Sequence, residues 1–469
     1  MTVSIKFCGA ARTVTGSMHL ISAGRTEALL DCGLFHGRRD ETYEVNSGFA
    51  FNPQRLGSVV LSHAHIDHCG NIPTLIKKGY RSHIFATPPT KELCNYMIPD
   101  SGHVQQEDIK YVNKINKRRH LPPRFPLYTK REAEHSLKYL RSLDYHVKFA
   151  LSKEVDLTFF EAGHILGSAV PVLDIKTSNG TMRIAYAVDL GRYGMPLLKD
   201  PEVPQDIDYL IIESTYGGRK HGSIQEAEDE LADAVNRAIS RAGKIIIPSF
   251  ALERTQLIVF FISELIKRKK IKKIPLYVDS PLAVNLTKVF RDNWSYFDEI
   301  TRLAFEKEED PLGYDNISYI TKINDSKRLN NEKGPMIIIS ASGMCENGRI
   351  LHHLKNNIED PRNMVIVIGF MAKNTLGRRI VERKKEVKIF GVPHRLNAEV
   401  ITLNAFSSHA DADGLVEYVK RCRGSLKKVF IVHGDEEQSK VLKANLKKLG
   451  LKASVPAKGE TTYLSGDKA

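Results

Sequence analysis

The sequence predicts an α/β protein built from two domains. Its 469 residues exceed what one hydrophobic core usually supports. Short runs rich in Val, Ile, Phe and Tyr alternate with longer helix-like stretches. The apolar runs also end on a restricted set of polar residues. That set changes in the middle of the chain and returns near its end.

Taken in order, Met1-Thr2-Val3-Ser4-Ile5-Lys6 reads as the start of a strand, without the basic and apolar regions of a signal peptide. Ala28-Leu29-Leu30 ends in Asp31. Val59-Val60-Leu61-Ser62 runs into His63-Ala64-His65-Ile66-Asp67-His68, and Asn71-Ile72-Pro73 then opens a helix. Leu157-Thr158-Phe159-Phe160 leads to His164, and Ile184-Ala185-Tyr186-Ala187-Val188 ends in Asp189. Near the other terminus, Val429-Phe430-Ile431-Val432 ends in His433. Strands lying side by side would bring these metal-capable side chains together, because α/β sites form at the carboxyl ends of strands.

The middle of the chain keeps the rhythm and changes the endings. Tyr209-Leu210-Ile211-Ile212 ends in Glu213-Ser214, and Lys244-Ile245-Ile246-Ile247 in Pro248-Ser249. Leu276-Tyr277-Val278 ends in Asp279-Ser280, Met336-Ile337-Ile338-Ile339 in Ser340-Ala341-Ser342-Gly343, and the run 364–368 in Gly369. Hydroxyls, glycines and nearby cations replace the metal-ligand set. The expected organisation is a first domain of 1–208 plus 396–469, interrupted by a second domain of 209–395. The stretch 305–325, with acidic residues, Pro311 and Gly313, is expected to be the least regular.

Composition narrows the setting. Hydrophobic residues make up 42% and charged residues 26%, as in ordinary globular proteins. No run of 18 apolar residues is present, so no membrane span is expected and a cytoplasmic location is. Cys8, Cys32, Cys69, Cys94, Cys345 and Cys422 are scattered without a C-x-x-C pair, which argues against a disulfide framework or zinc knuckle. The net charge of +14 suits a polyanionic partner such as nucleic acid. Basic clusters lie at 114–120, 267–273 and 378–388.

Three imidazoles and a carboxylate within six residues, His63 to His68, suit zinc, with manganese or iron as alternatives. Residues i and i+2 of an extended segment point the same way, so His63 and His65 would share one ion. The turn that follows would redirect Asp67 and His68 to a second. With this H-x-H-x-D-H pattern the chain resembles the metallo-β-lactamase superfamily, and its β-CASP branch of nucleic-acid hydrolases in particular. Glu213 in Ile212-Glu213-Ser214-Thr215-Tyr216-Gly217, His409 in Phe406-Ser407-Ser408-His409-Ala410-Asp411, and His433 in Val432-His433-Gly434 match three further motifs of that branch. The segments 248–256, 340–349 and 375–379 fit as well. The chain is similar to the endonuclease subunit of the eukaryotic cleavage and polyadenylation factor and its stand-alone bacterial and archaeal relatives. The N-terminal RNA-binding domains of many archaeal relatives are not expected ahead of the strand at Val3.

The resemblance implies a four-layer αββα metallo-β-lactamase domain with an inserted Rossmann-like α/β domain. It implies two zinc ions, or manganese or iron. His63, His65 and His164 would hold one, Asp67, His68 and His433 the other, and Asp189 would bridge them. Asp31 would orient ligands or the bridging water. Such a pair shares a hydroxide for in-line attack on phosphorus, leaving a 5′-phosphate and a 3′-hydroxyl. His409 would protonate the leaving oxygen and Glu213 would hold it. Ser249, Arg254, Ser342 and Arg378 are expected to contact substrate phosphates, as strand-end loops, helix N-termini and guanidinium groups do. The implied activity is metal-dependent hydrolysis of single-stranded RNA, endonucleolytic and also 5′-to-3′ exonucleolytic. The alternatives are a DNA-directed nuclease, another metallo-hydrolase on the same site, and a non-catalytic RNA-binding subunit. A homodimer or an RNA-processing complex would be the larger assembly.

Overall fold

The computed structural model describes residues 1–464 except Arg38, Glu308, Phe370, Lys373 and Arg423, and leaves aside the side chains of Arg39 and Asp40. The chain forms two compact units. Residues 1–194, 198–220 and those from Ser408 onward make the first, and 195–197 with 221–407 make the second.

The first unit holds two seven-stranded sheets. One runs Thr461–Leu464, Val3–Gly9, Met18–Ala23, Thr26–Leu30, Ser58–Val60, His83–Ala86, Leu140–Ser142. Its first four strands pair antiparallel and its last four parallel. The other runs Ala453–Ser454, Lys428–Ile431, Tyr209–Ile212, Gly180–Ala187, Ala169–Thr177, Val155–Glu161, Phe149–Ala150, parallel as far as Gly180–Ala187. Side chains alternate across each strand. Tyr209, Ile211 and Phe430 therefore join Ile5, Phe7, Leu30 and Val60 in one core between the sheets. Leu210, Ile212, Val429 and Ile431 face the other way and pack with Leu415, Tyr418, Val419, Leu442 and Leu446 of helices Ala412–Arg421 and Glu436–Lys448. Both faces are buried, which is why these strands read as unbroken apolar runs. Helices Ile72–Lys77, Pro88–Arg118 and Lys130–Ser136 complete the four-layer αββα arrangement.

In the second unit a six-stranded parallel sheet runs Ile317–Tyr319, Leu276–Val278, Met336–Ser340, Lys244–Pro248, Met364–Ile368, Glu399–Leu403. Parallel pairing gathers Ser249, Asp279, Ser340 and Gly369 at one carboxyl edge. Helices such as Ile224–Ser240, Arg254–Lys267 and Ile350–Asn357 connect the strands in Rossmann fashion.

Three expectations need correction. Strand Tyr209–Ile212, assigned above to the second domain, pairs with Gly180–Ala187 and Lys428–Ile431 in the first unit, and Glu213 goes with it. Conversely, Glu399–Leu403 is an edge strand of the second unit, which extends to Ser407. The physical reason is the same in both cases: a buried parallel strand is uniformly apolar and carries no local mark of which sheet it joins. The stretch 305–325 is also more regular than expected, with strand Ile317–Tyr319 and the start of helix Ile323–Asn331. No helix among the described residues is long and apolar enough to cross a membrane.

Candidate metal centre

All seven residues expected to bind metal lie in the first unit, at the carboxyl ends of its strands or in the loops that follow. Strand Ser58–Val60 delivers His63, and His65 caps the single-turn helix Ile66–Cys69 that carries Asp67 and His68. Three strand-end residues, Asp31, Asp189 and His433, have φ of 58°, 51° and 45°. Asp and His tolerate this left-handed region better than most side chains. Backbone held there turns the chain at the sheet edge, and such residues concentrate at functional sites.

The side chains converge. Ligand atoms of His63, His65, His164 and Asp189 lie within 4.8 Å of one another, as do those of Asp67, His68 and His433. His63 Nε2 is 3.0 Å from His65 Nδ1, which is 3.3 Å from His164 Nε2. His68 Nε2 is 3.1 Å from His433 Nε2. Asp189 lies between the groups: its Oδ2 is 3.3 Å from both His63 Nε2 and His68 Nε2 and 3.6 Å from His164 Nε2, while its Oδ1 is 3.1 Å from His433 Nδ1. Asp67 Oδ2 is 3.5 Å from His433 Nε2.

A buried carboxylate network lies behind the loop. Asp31 accepts from the Ser62 amide (2.8 Å), the Ser62 hydroxyl (2.8 Å) and the Tyr186 hydroxyl (2.9 Å), and its Oδ2 is 2.6 Å from His68 Nδ1. A neutral His68 donating from Nδ1 to Asp31 has its Nε2 lone pair aimed at His433 and Asp189. Asp31 is thus one step removed from the converging atoms. Sequence reasoning missed Ser62, Tyr186 and Ser17, whose hydroxyl is 2.6 Å from that of Tyr186. The available signal was a phenol in an apolar strand, since a buried Tyr hydroxyl needs a partner.

The protonation pattern follows from this crowding. Burial pushes His65 down to about 3 and also lowers His63 and His164. Burial opposes charge on His68 and His433 too, but the Asp189 carboxylate raises both, with help from Asp67 and, for His68, Asp31. Burial would raise Asp189, yet His433 and His68 hold it well below the carboxylate range. Imidazole lone pairs held 3.0–3.3 Å apart repel unless a proton or cation sits between them. A divalent cation satisfies the whole N/O donor set at once, so these residues fit a metal centre.

His409 approaches from a separate segment, held by a β-bridge to Gly191. Its Nδ1 is 3.3 Å from Glu213 Oε1, and its ring centroid is 4.4 Å from that of His164. Glu213 is buried and accepts from the amides of Leu190 (2.6 Å) and Thr215 (3.3 Å). One of its oxygens also lies within 4.8 Å of ligand atoms of Asp189 and His433, a proximity not expected from sequence.

The four expected phosphate contacts lie in the second unit and are engaged locally. Buried Ser249 has its hydroxyl 3.1 Å from that of Thr255, and Arg254 Nη1 donates to Ile368 O at 3.1 Å. The Ser342 hydroxyl donates to Asn347 O (3.2 Å) and closes its own loop, while Arg378 Nε pairs with Glu382 at 2.8 Å. Sequence reasoning also missed buried Asp279 and His353 with part-buried Arg349 at this edge.

Comparison with known proteins agrees with this geometry. Residues 11–80 match the metallo-beta-lactamase superfamily, 255–380 the Beta-Casp domain, and 393–456 the Zn-dependent metallo-hydrolase RNA specificity domain. The chain is 34% identical to ribonuclease TTHA0252 of Thermus thermophilus, covering 96% of this chain and 98% of that protein. It is 29% identical to an RNase J-like protein of Methanocaldococcus jannaschii, over 97% and 99% of the two. Transcription termination factor FttA of the same organism is also 29% identical, over 93% of this chain and 67% of that protein. A crystal structure of an Enterococcus faecalis V583 protein of unknown function shares the fold, with a TM-score of 0.56 at 12% identity over 99% and 100% of the two chains.

Proposed function

This chain belongs to the β-CASP ribonucleases of the metallo-β-lactamase superfamily, and from that premise we propose that it hydrolyses single-stranded RNA at a two-zinc site in the cytoplasm. The observation that carries the reading is the convergence of four imidazoles, His63, His68, His164 and His433, on Asp189 at 3.1–3.6 Å.

A bound metal pair supplies Lewis acidity and water activation at neutral pH. His63, His65 and His164 would hold one ion, Asp67, His68 and His433 the other, and Asp189 would bridge them. Manganese or iron would suit the same donors. Asp31, fixed by Ser62 and Tyr186, keeps His68 in the tautomer that leaves Nε2 available. His409 delivers a proton to the departing 3′ oxygen, and Glu213, itself held by two amides, fixes the ring and favours its charged form. The products are a 5′-phosphate and a 3′-hydroxyl, from internal cuts and from 5′-to-3′ trimming. Ser249, Arg254, Ser342 and Arg378 stay assigned to substrate phosphates, which requires them to exchange local partners for the backbone. A homodimer or an RNA-processing complex is the assembly in keeping with this reading.

End-labelled single-stranded RNA and DNA of one sequence test it. RNA should be cut to products with 5′-phosphates, DNA spared, and a chelator should stop the reaction. Preferential cutting of DNA, or 5′-hydroxyl products, would refute it.

A further inference from the structure

We propose that the outer half of helix Pro88–Arg118, with the return segment after it, is a docking arm for single-stranded RNA. The inference deepens the ribonuclease reading and rests on it. The helix has 31 residues, about 46 Å at 1.5 Å per residue. Its inner half is a core helix that buries Leu93, Cys94, Met97, Ile98 and Gly102. Beyond Gly102 only Val112 is buried, so the last four turns leave the core.

A helix leaving the core ordinarily presents polar residues to water. This one keeps Val104 and Tyr111 exposed at 41% and 61%, and the return segment adds Leu121 at 53% and Phe125 at 70%. Between Asp108 and Glu132 the chain carries eight Lys and Arg residues and no carboxylate. Tyr111, Lys114 and Arg118, spaced three and seven apart, share one helix face.

The arm is rigid. The Asn113 side chain donates to Arg124 O (2.9 Å) and accepts from Arg124 N (2.8 Å), and Asn116 donates to Pro122 O (3.0 Å). Pro122, Pro123 and Pro126 fix φ along the segment. The return segment and the first turn of the helix are each tied to a metal-centre loop. The Tyr128 hydroxyl donates to Gly70 O at 2.6 Å, two residues after His68. Thr87 and Thr90 donate to Gly167 O at 2.6 and 2.8 Å, three residues after His164.

Exposed rings within a run of Lys and Arg suit a ligand that is itself a chain of planar bases on a polyanion. A protein interface would deplete Lys from the patch, and here four of the eight cations are lysines. The arm therefore binds RNA flanking the bond to be cut.

Fluorescence anisotropy with a labelled 30-nucleotide RNA and the full-length protein, in chelator to prevent cleavage, tests this. Combining Lys114→Ala, Lys117→Ala and Arg118→Ala should weaken binding about tenfold or more at 0.1 M salt and reduce the log–log salt slope by about 2. Tyr111→Ala with Phe125→Ala should weaken it at least about fivefold without changing the slope. Wild-type affinity and slope in both variants would overturn the proposal and leave the patch to a protein partner. Metal-loaded wild type that fails to cut RNA, beside arm variants that still lose affinity, would count against the ribonuclease reading alone.

Discussion

The two units place closely similar sequences at their sheet edges and arrive at opposite electrostatics. Ala187-Val188-Asp189 and Tyr277-Val278-Asp279 both end a strand on a buried aspartate. In the second unit Asp279 is closed internally: Arg349 Nη1 and His353 Nε2 each lie 2.6 Å from it, Arg349 also donates to Thr321 O, and His353 Nδ1 meets Asn330. In the first unit the ion-pair partners of Asp189 among the described residues are imidazoles whose nitrogens also face one another. One aspartate is neutralised by a fixed cation, and the other is left for a cation from solution. A buried strand-end carboxylate marks a metal centre when its neighbours are lone-pair donors rather than permanent charges.

The comparison breaks most visibly at the two aspartates. Asp189→Ala should cost metal content and at least about 10³-fold in RNA cleavage. Asp279→Ala should leave metal content alone but lower the unfolding midpoint, because an uncompensated arginine beside a buried histidine costs about 3–5 kcal/mol. Elemental analysis and thermal unfolding of both variants separate the cases, and metal loss in Asp279→Ala would erase the contrast.

A smaller effect is expected at His409, whose ring packs against that of His164. His409→Ala should slow single-turnover cleavage about 10²–10⁴-fold while metal content stays at the wild-type level. Metal loss in this variant would make His409 a ligand rather than an acid.

The smallest effect comes from Glu161, a buried carboxyl that accepts from Gly163 N (2.9 Å) and belongs to neither pattern. Burial raises it to about 8. The folded state thus keeps a proton that the unfolded chain loses near 4.5, so this contribution to stability is full below that pH and disappears as pH rises through about 8. Glu161→Gln should flatten the fall in unfolding midpoint between those limits. Curves parallel to wild type across the range would show the carboxyl to be ionised in the fold.

Much of the first unit was legible because its chemistry is local. His63 to His68 lie within six consecutive residues, and Asp31, His164, Asp189 and His433 each terminate or follow a visible apolar run. What stayed hidden depended on pairing between distant segments. Nothing in Leu210-Ile211-Ile212 says that its neighbours are Gly180–Ala187 and Lys428–Ile431. Tyr186 and Ser17 read as an ordinary strand residue and a loop residue until the sheets stack and bring the Tyr186 hydroxyl to Asp31 and that of Ser17 to Tyr186. The Asp279–Arg349–His353 set was missed for the same reason, since 70 and 74 residues separate its members.

The most direct test is metal content per chain together with cleavage of single-stranded RNA, before and after dialysis against a chelator. The predicted result is two ions per chain, activity that disappears with them, and activity restored by zinc. Undiminished cleavage by metal-free protein would contradict the account.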